Sequence, residues 1–150
     1  MRRAAATLGL GAALVLAGCG GVGEVASKGD VSNGKTQFSA PHKIKSGTFS
    51  CASCHTLADA GAAGKIGPDL DTTFAYVREA ANKGDRFCED TIANVVLDQI
   101  RFPSHNNLEP QYVMPANIVT GKNAVDVAQY VASVAGVKPG TKAPKQSSAC

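Results

Sequence analysis

A chain of 150 residues has room for one domain and short appendages. It is 44% hydrophobic yet has no Trp, five Phe and three Tyr. Such aromatic poverty leaves an ordinary core thin and fits a core completed by a bound apolar group. The formal charge of +3 excludes the strongly basic character of a nucleic-acid binder.

The N-terminus reads as a targeting segment. Arg2 and Arg3 form a basic start, and residues 4–15 form an apolar stretch too short to span a bilayer. Leu16-Ala17-Gly18-Cys19 follows, which looks like a bacterial lipobox. Residues 1–18 are then a signal peptide, and Cys19 takes a diacylglycerol on its thiol. The bland alternative is a secretory signal with an incidental Cys. Two or more acyl chains anchor stably where one does not. Residues 19–30 are Gly-rich without an apolar period and read as a flexible lipidated tether. Loss of residues 1–18 lowers Lys+Arg from 15 to 13 against 12 acidic groups, a formal charge of +1.

The folded part begins with a short helix over residues 30–39. Asp30 is its N-cap, and Val31, Gly34 and Phe38 share one face. Gly34 weakens a helix, so its use is the close approach of another helix. Pro41 ends the segment. Residues 42–47 read as a polar loop, with His42 in solvent.

Next comes Cys51-Ala52-Ser53-Cys54-His55. Two thiols separated by two residues and followed by His form the pattern that attaches a c-type haem. The thiols add across the two porphyrin vinyl groups as thioethers, and His55 then lies under the iron as its axial ligand. A thioredoxin-like redox pair would sit near a βαβ pattern, which is missing here. A zinc site would call for a second pair of ligands in sequence. Attachment of this haem takes place outside the cytoplasm, in agreement with the signal peptide.

Residues 56–66 are rich in Ala and Gly and read as a loop against the haem edge. In Gly67-Pro68-Asp69-Leu70, a fixed turn can aim the Pro68 carbonyl at the His55 imidazole, which orients the ring and raises its basicity. A simple Gly-Pro turn is the other reading. Residues 72–81 predict a helix with Phe74, Val77 and Ala81 on one face. Residues 82–85 break it. Residues 91–102 predict a second helix with Ile92, Val95, Val96, Gln99 and Ile100 in a stripe, stopped by Pro103.

Residues 104–116 form a Pro-bounded loop around Met114. Met1 leaves with the signal peptide, so Met114 is the sole thioether available as a sixth iron ligand. His/Met ligation raises the reduction potential. His105, in the same loop, is the rival, and bis-His ligation would lower it. Residues 120–135 are the clearest helix, with Val127, Tyr130, Val131 and Val134 in a stripe. Asn123 and Asp126 resemble a capping pair, and Gly136 is the C-cap residue. Residues 138–150 read as a basic, Pro- and Ser-rich surface tail.

In this order the pieces resemble a class I monohaem cytochrome c, the small mitochondrial and bacterial type, over about residues 30–137. They are Gly34 and Phe38, Cys51 to His55, Gly67 to Leu70, Met114-Pro115 and Tyr130. The resemblance implies an all-α fold of short helices wrapped around one covalent haem c, within a domain of residues 31–137. It makes Pro68 the carbonyl partner of His55, and it sets Gly34 and Phe38 against the Tyr130 helix. The region around Cys88 departs from the pattern. With Cys19 on lipid and Cys51 and Cys54 on haem, Cys88 and Cys150 remain. An oxidising compartment lets them pair as a disulfide; two free thiols are the alternative. Two haem propionates would take the net charge to about −1, so no nucleic-acid partner is implied.

The expected role is electron transfer rather than catalysis. A six-coordinate haem leaves no open site for substrate. It cycles between Fe(II) and Fe(III), and partners dock weakly at its exposed edge. The expected partners are redox proteins of a membrane electron-transport chain. Acylated Cys19 holds the protein on the outer side of the cell membrane. Two alternatives are an accessory haem subunit of an oxidase or dehydrogenase, and a peroxidase or gas sensor should Met114 leave the iron.

Overall fold

The computed structural model describes residues 29–82, 89–104 and 113–138, the side chains of residues 81, 82, 89 and 90 excepted. Cys19, Cys88, His105 and Cys150 lie outside the described residues. The described chain carries five α-helices and two minimal β-hairpins. In order these are α1 (Val31–Ser39), β1 (His42–Ile44), β2 (Gly47–Phe49), α2 (Cys51–Cys54), β3 (Thr56–Leu57), a 3-10 turn (Ala58–Ala60), β4 (Ala62–Ala63), α3 (Leu70–Asn82), α4 (Glu89–Arg101) and α5 (Gly121–Val134). The fold is all-α in its architecture, as the resemblance implies.

Helix α1 starts where expected. The Asp30 carboxylate accepts from the Asn33 amide at 3.0 Å, satisfying one of the free amides of the first turn. Its Gly34 and Phe38 are buried, but Val31 is 41% exposed and does not share their contact. The buried pair faces α5. A Cβ at Gly34 would overlap the Asp126 carbonyl oxygen and lie 2.6 Å from Tyr130 Cβ, so only Gly lets the two helices meet here. One turn on, the Phe38 and Tyr130 rings meet edge to face, with centroids 5.9 Å apart and planes at 67°.

The crossing is sealed by a fully buried carboxylate. Asp126 accepts from the Asp30 amide at 2.7 Å, from Asn33 Nδ2 at 2.7 Å and from Lys122 Nζ at 2.8 Å. It is therefore no capping residue. The N-cap of α5 is Thr120, without a side-chain cap bond. Burial alone would raise the pKa of Asp126. Lys122, the Asp30 amide and Asn33 together outweigh it and hold the group below the ordinary carboxylate range.

Helix α5 is the most buried element, with Val127, Tyr130 and Val131 almost fully covered and Val134 partly so. Helix α4 packs on it through Ile92, Ala93, Leu97 and Ile100. The expected stripe of α4 is thus rotated. Val95 is 46% exposed and Gln99 also faces solvent, because Ala93 and Leu97 complete the contact instead.

Helix α3 begins at Leu70, two residues before the predicted start, because Asp69 accepts from the Thr72 amide at 3.0 Å and opens the helix early. Phe74 is buried on its inner face, and so is Arg78, at 2% exposure. The Arg78 guanidinium donates to the carbonyls of Ala132 and Ala135 at the end of α5. These belong to the carbonyls that a helix end leaves without intrahelical partners, and a cation suits the negative pole there. Gly136 follows with φ 72. A Cβ on it would stand 2.6 Å from the backbone of Phe74 and Ala75, which sets how closely α3 approaches.

Two expected loops are hairpins. Residues 42–49 pair antiparallel across a Lys45-Ser46 turn. His42 is half-buried there, its Nε2 donating to the Gln37 carbonyl at 2.7 Å, and is not a free surface residue. Residues 56–63 pair antiparallel around the 3-10 turn.

The held-down pKa of Asp126 carries a pH prediction. A depressed folded-state pKa contributes stability that is complete above the ordinary carboxylate value of 3.8 and is lost as pH falls through the folded value. Asp126→Asn should therefore be less stable than native at pH 7, and should lose less further stability between pH 5 and pH 2 (about the window for a depressed carboxylate). Denaturant titrations across that range test it. Parallel losses in the two proteins would refute it.

Candidate functional site

The site is built by the chain immediately around α2. Ser50 caps this single turn, its hydroxyl accepting from the Ser53 amide at 3.1 Å while Ser53 Oγ accepts from the Ser50 amide at 3.3 Å. Cys51 and Cys54 stand three apart on that turn, so their side chains leave the same side. Both thiols are free and are not bonded to each other. Cys51 is buried and Cys54 half-buried. Burial pushes the Cys51 thiol up to about 11, against a smaller lowering by a backbone hydrogen bond. Among the described residues, no three His, Cys, Asp or Glu side chains are placed to hold a metal ion between them. A closed zinc site, which takes four ligands, thus has no ligand set at this motif among the described residues.

His55 follows α2 in extended conformation, its amide bonded to the Cys51 carbonyl at 2.9 Å. Its Nδ1 donates to the Pro68 carbonyl at 2.9 Å. A carbonyl can only accept, so the proton is on Nδ1 and the Nε2 lone pair is free to bind a metal. The expected His55–Pro68 pair is formed. The ring is also held on its flank. A Cβ at Gly67 would overlap His55 Cε1 and lie 2.7 Å from Nδ1, so the turn lies directly against the imidazole. Gly64 does the same for the backbone: a Cβ there would be 2.5 Å from the Cys54 carbonyl carbon. Neither close approach was read from the sequence. Two glycines flanking Lys65-Ile66 in an otherwise featureless loop were the available signal.

Met114 is half-buried and packs against the core. The segment after it is pinned, since the Asn117 amide donates to the Ile100 carbonyl at the end of α4 at 2.8 Å, and Ile118 and Val119 are buried. Asn117 has φ 55, a left-handed turn that Asn tolerates. The structure thus brings Cys51, Cys54, His55 and Pro68 together and seats Met114 against the shared core. His105 lies outside the described residues.

A third group of side chains ties this region to the helix crossing. Tyr130 donates its hydroxyl to Asp59 at 2.8 Å, and Lys35 pairs with the same oxygen at 2.9 Å. Lys35 first, and then Tyr130, hold the Asp59 carboxyl below its ordinary range. Asp59 lies in the 3-10 turn just beyond His55, so α1, α5 and the motif share one polar junction.

These residues suit a covalent haem. Two unbridged thiols lie on one side of a helical turn, and the adjacent imidazole is fixed in the tautomer that offers Nε2. The chain matches the cytochrome c family over residues 31–135 and belongs to it. It accordingly carries covalently bound haem c and works in haem-based electron transfer. Domains of this family are in general electron carriers, though some cytochromes are enzymes. No curated protein matches the chain.

The tight flank at Gly67 is testable. Gly67→Ala should cost about 2 kcal/mol, since the imidazole or the turn must move. Gly61→Ala should cost about 1 kcal/mol, because only its left-handed φ of 64 opposes a side chain and no atom lies within 4 Å. Equal costs in denaturant titrations would show that the ring and the turn are not in tight contact.

Proposed function

We propose that this cytochrome c is of the class I monohaem type, with Cys51 and Cys54 carrying the haem and His55 and Met114 as its axial ligands. The class I reading is supported by the order of the motifs and by the Gly34 crossing with its edge-to-face Phe38 and Tyr130. The single observation that carries the ligand assignment is the Nδ1 bond from His55 to Pro68. It fixes the imidazole next to both thiols with Nε2 available, which is the arrangement an axial ligand needs.

When bound, the haem supplies one-electron chemistry between two oxidation states of iron. The chain's part is to keep the ligands still. Pro68 orients His55, Gly67 flanks its ring, and the Asn117–Ile100 bond anchors the segment bearing Met114. Ligands that hold one position in both states keep the reorganisation small. A thioether favours the reduced state and gives a high potential.

The finer setting is also part of this proposal. The residue 16–19 lipobox and the Gly-rich segment after it support an extracytoplasmic protein, anchored to the membrane by acylated Cys19 and swinging on a tether between redox partners of an electron-transport chain.

The ligand assignment is tested by absorption spectra of the oxidised, haem-loaded protein and of Met114→Ala. Native protein should be low-spin with a weak far-red sulfur-to-iron band, and the variant should lose that band. A high-spin native spectrum would overturn the assignment and favour peroxide or gas chemistry. A low-spin spectrum without the band would move the ligand to a nitrogen, His105 being the first candidate. The anchor is tested by fractionation: native protein should stay with membranes after a high-salt wash, and Cys19→Ser should not. Retention of the variant would remove the lipid anchor.

A further inference from the structure

Four contacts around His55 join residues separated by the same interval. The Gly67 amide donates to the Cys54 carbonyl at 2.8 Å. His55 Nδ1 donates to the Pro68 carbonyl at 2.9 Å. Thr56 and Asp69 form a parallel bridge. Lastly, the Ala58 amide donates to Asp71 Oδ2 at 2.7 Å. Two short segments, 54–58 and 67–71, therefore run side by side in fixed register, and the imidazole bond is one rung of their ladder. The Gly67–Cys54 and Thr56–Asp69 rungs are backbone contacts. Asp71 differs, because it lies in the first turn of α3, where the backbone has left the ladder, and its carboxylate stands in for the missing strand. Its Oδ1 accepts from the Gly136 amide at 3.4 Å, a weaker tie to the end of α5.

We propose that Asp71 is a positioning residue for the axial histidine, closing the ladder that keeps the Pro68 carbonyl in line with His55 Nδ1. It accepts from the amides of Ala58 and Gly136, so it works on the ring through the segments. It acts by preventing the two segments from fraying at the end where α3 pulls away. Loss of this rung would let the segments slide or splay, lengthening the Nδ1 bond. A longer bond makes the imidazole a poorer donor to iron, which stabilises the ferric state less. The inference rests on His55 being the axial ligand, as proposed above.

The test uses the full haem-loaded chain, comparing native protein with Asp71→Ala, Asp71→Asn and Asp126→Ala. The readouts are the solvent exchange of His55 Nδ1–H by NMR in the reduced protein, the midpoint potential, and stability to denaturant. Asp71→Ala should speed Nδ1–H exchange about tenfold, as loss of one charge-assisted bond predicts, and should raise the potential. Asp71→Asn keeps an accepting oxygen and should stay near native in exchange, so a potential shift it shares with Asp71→Ala measures the lost charge alone. Asp126→Ala should lower stability without moving either readout.

Should Asp71→Ala not fold, Ala58→Pro removes the donor instead. Position 58 opens the 3-10 turn, where Pro is accepted, and Leu57 before it is already extended (φ −154, ψ 109). It should give the same two shifts. Native exchange and potential in Asp71→Ala or in Ala58→Pro, despite lowered stability, would overturn the proposal. Failure of the ligand reading would be visible separately, because His55 in the reduced native protein would then lack the upfield ring-current shifts that a haem imposes on an axial imidazole.

Discussion

The close approach of α1 to α5 at Gly34 is the constraint on which the other contacts rest. With no side chain at that point, the Asp126 carbonyl and Tyr130 can lie against the α1 backbone. Phe38 then reaches the Tyr130 ring, and Asp126 reaches both Asp30 and Asn33. The same helix contact sends Tyr130 and Lys35 to Asp59, just beyond the axial histidine candidate. Helices α1 and α5 are thus fastened to each other and to the haem-binding motif by one run of contacts. A side chain at Gly34 would push them all apart together.

The motif itself is organised by polar groups more than by apolar packing. Its helix is a single turn, too short to be stable alone. It persists because Ser50 and Ser53 cap each other and because the chain on its C-terminal side is zipped to residues 67–71. The result is an imidazole with one defined tautomer and one free nitrogen. Arg78 does comparable work at the C-terminal end of α5, where its buried cation takes the carbonyls of Ala132 and Ala135. A chain without Trp and with few other aromatic residues is held by these polar junctions together with the α4–α5 contact.

Much of this was legible in the order of residues. The Cys51 to His55 motif names its chemistry by spacing alone. Gly34, Phe38 and Tyr130 were readable as a crossing, and Pro68 as a partner for His55, because a known family pattern links these distant positions. What was not legible depends on where side chains end up in space. Asp126 looked like a local helix cap, since local pairing is all that spacing can suggest, yet it bonds to residues more than ninety positions away. Arg78 drew no reading from the sequence, although its place four residues after Phe74, on the apolar face, was the clue. Asp71 and the short hairpins at residues 42–49 and 56–63 carry little periodic signal. The α4 stripe was misjudged because Ala93 was not counted as a packing residue.

The most direct test of the central claim is mass spectrometry of the denatured, haem-loaded protein after extraction with acidified acetone. A proteolytic peptide containing both Cys51 and Cys54 should retain the mass of one haem, with neither cysteine open to alkylation. If the haem is extracted and both cysteines are alkylated, the two thiols do not hold it, and the assignment of His55 as its axial ligand falls with them.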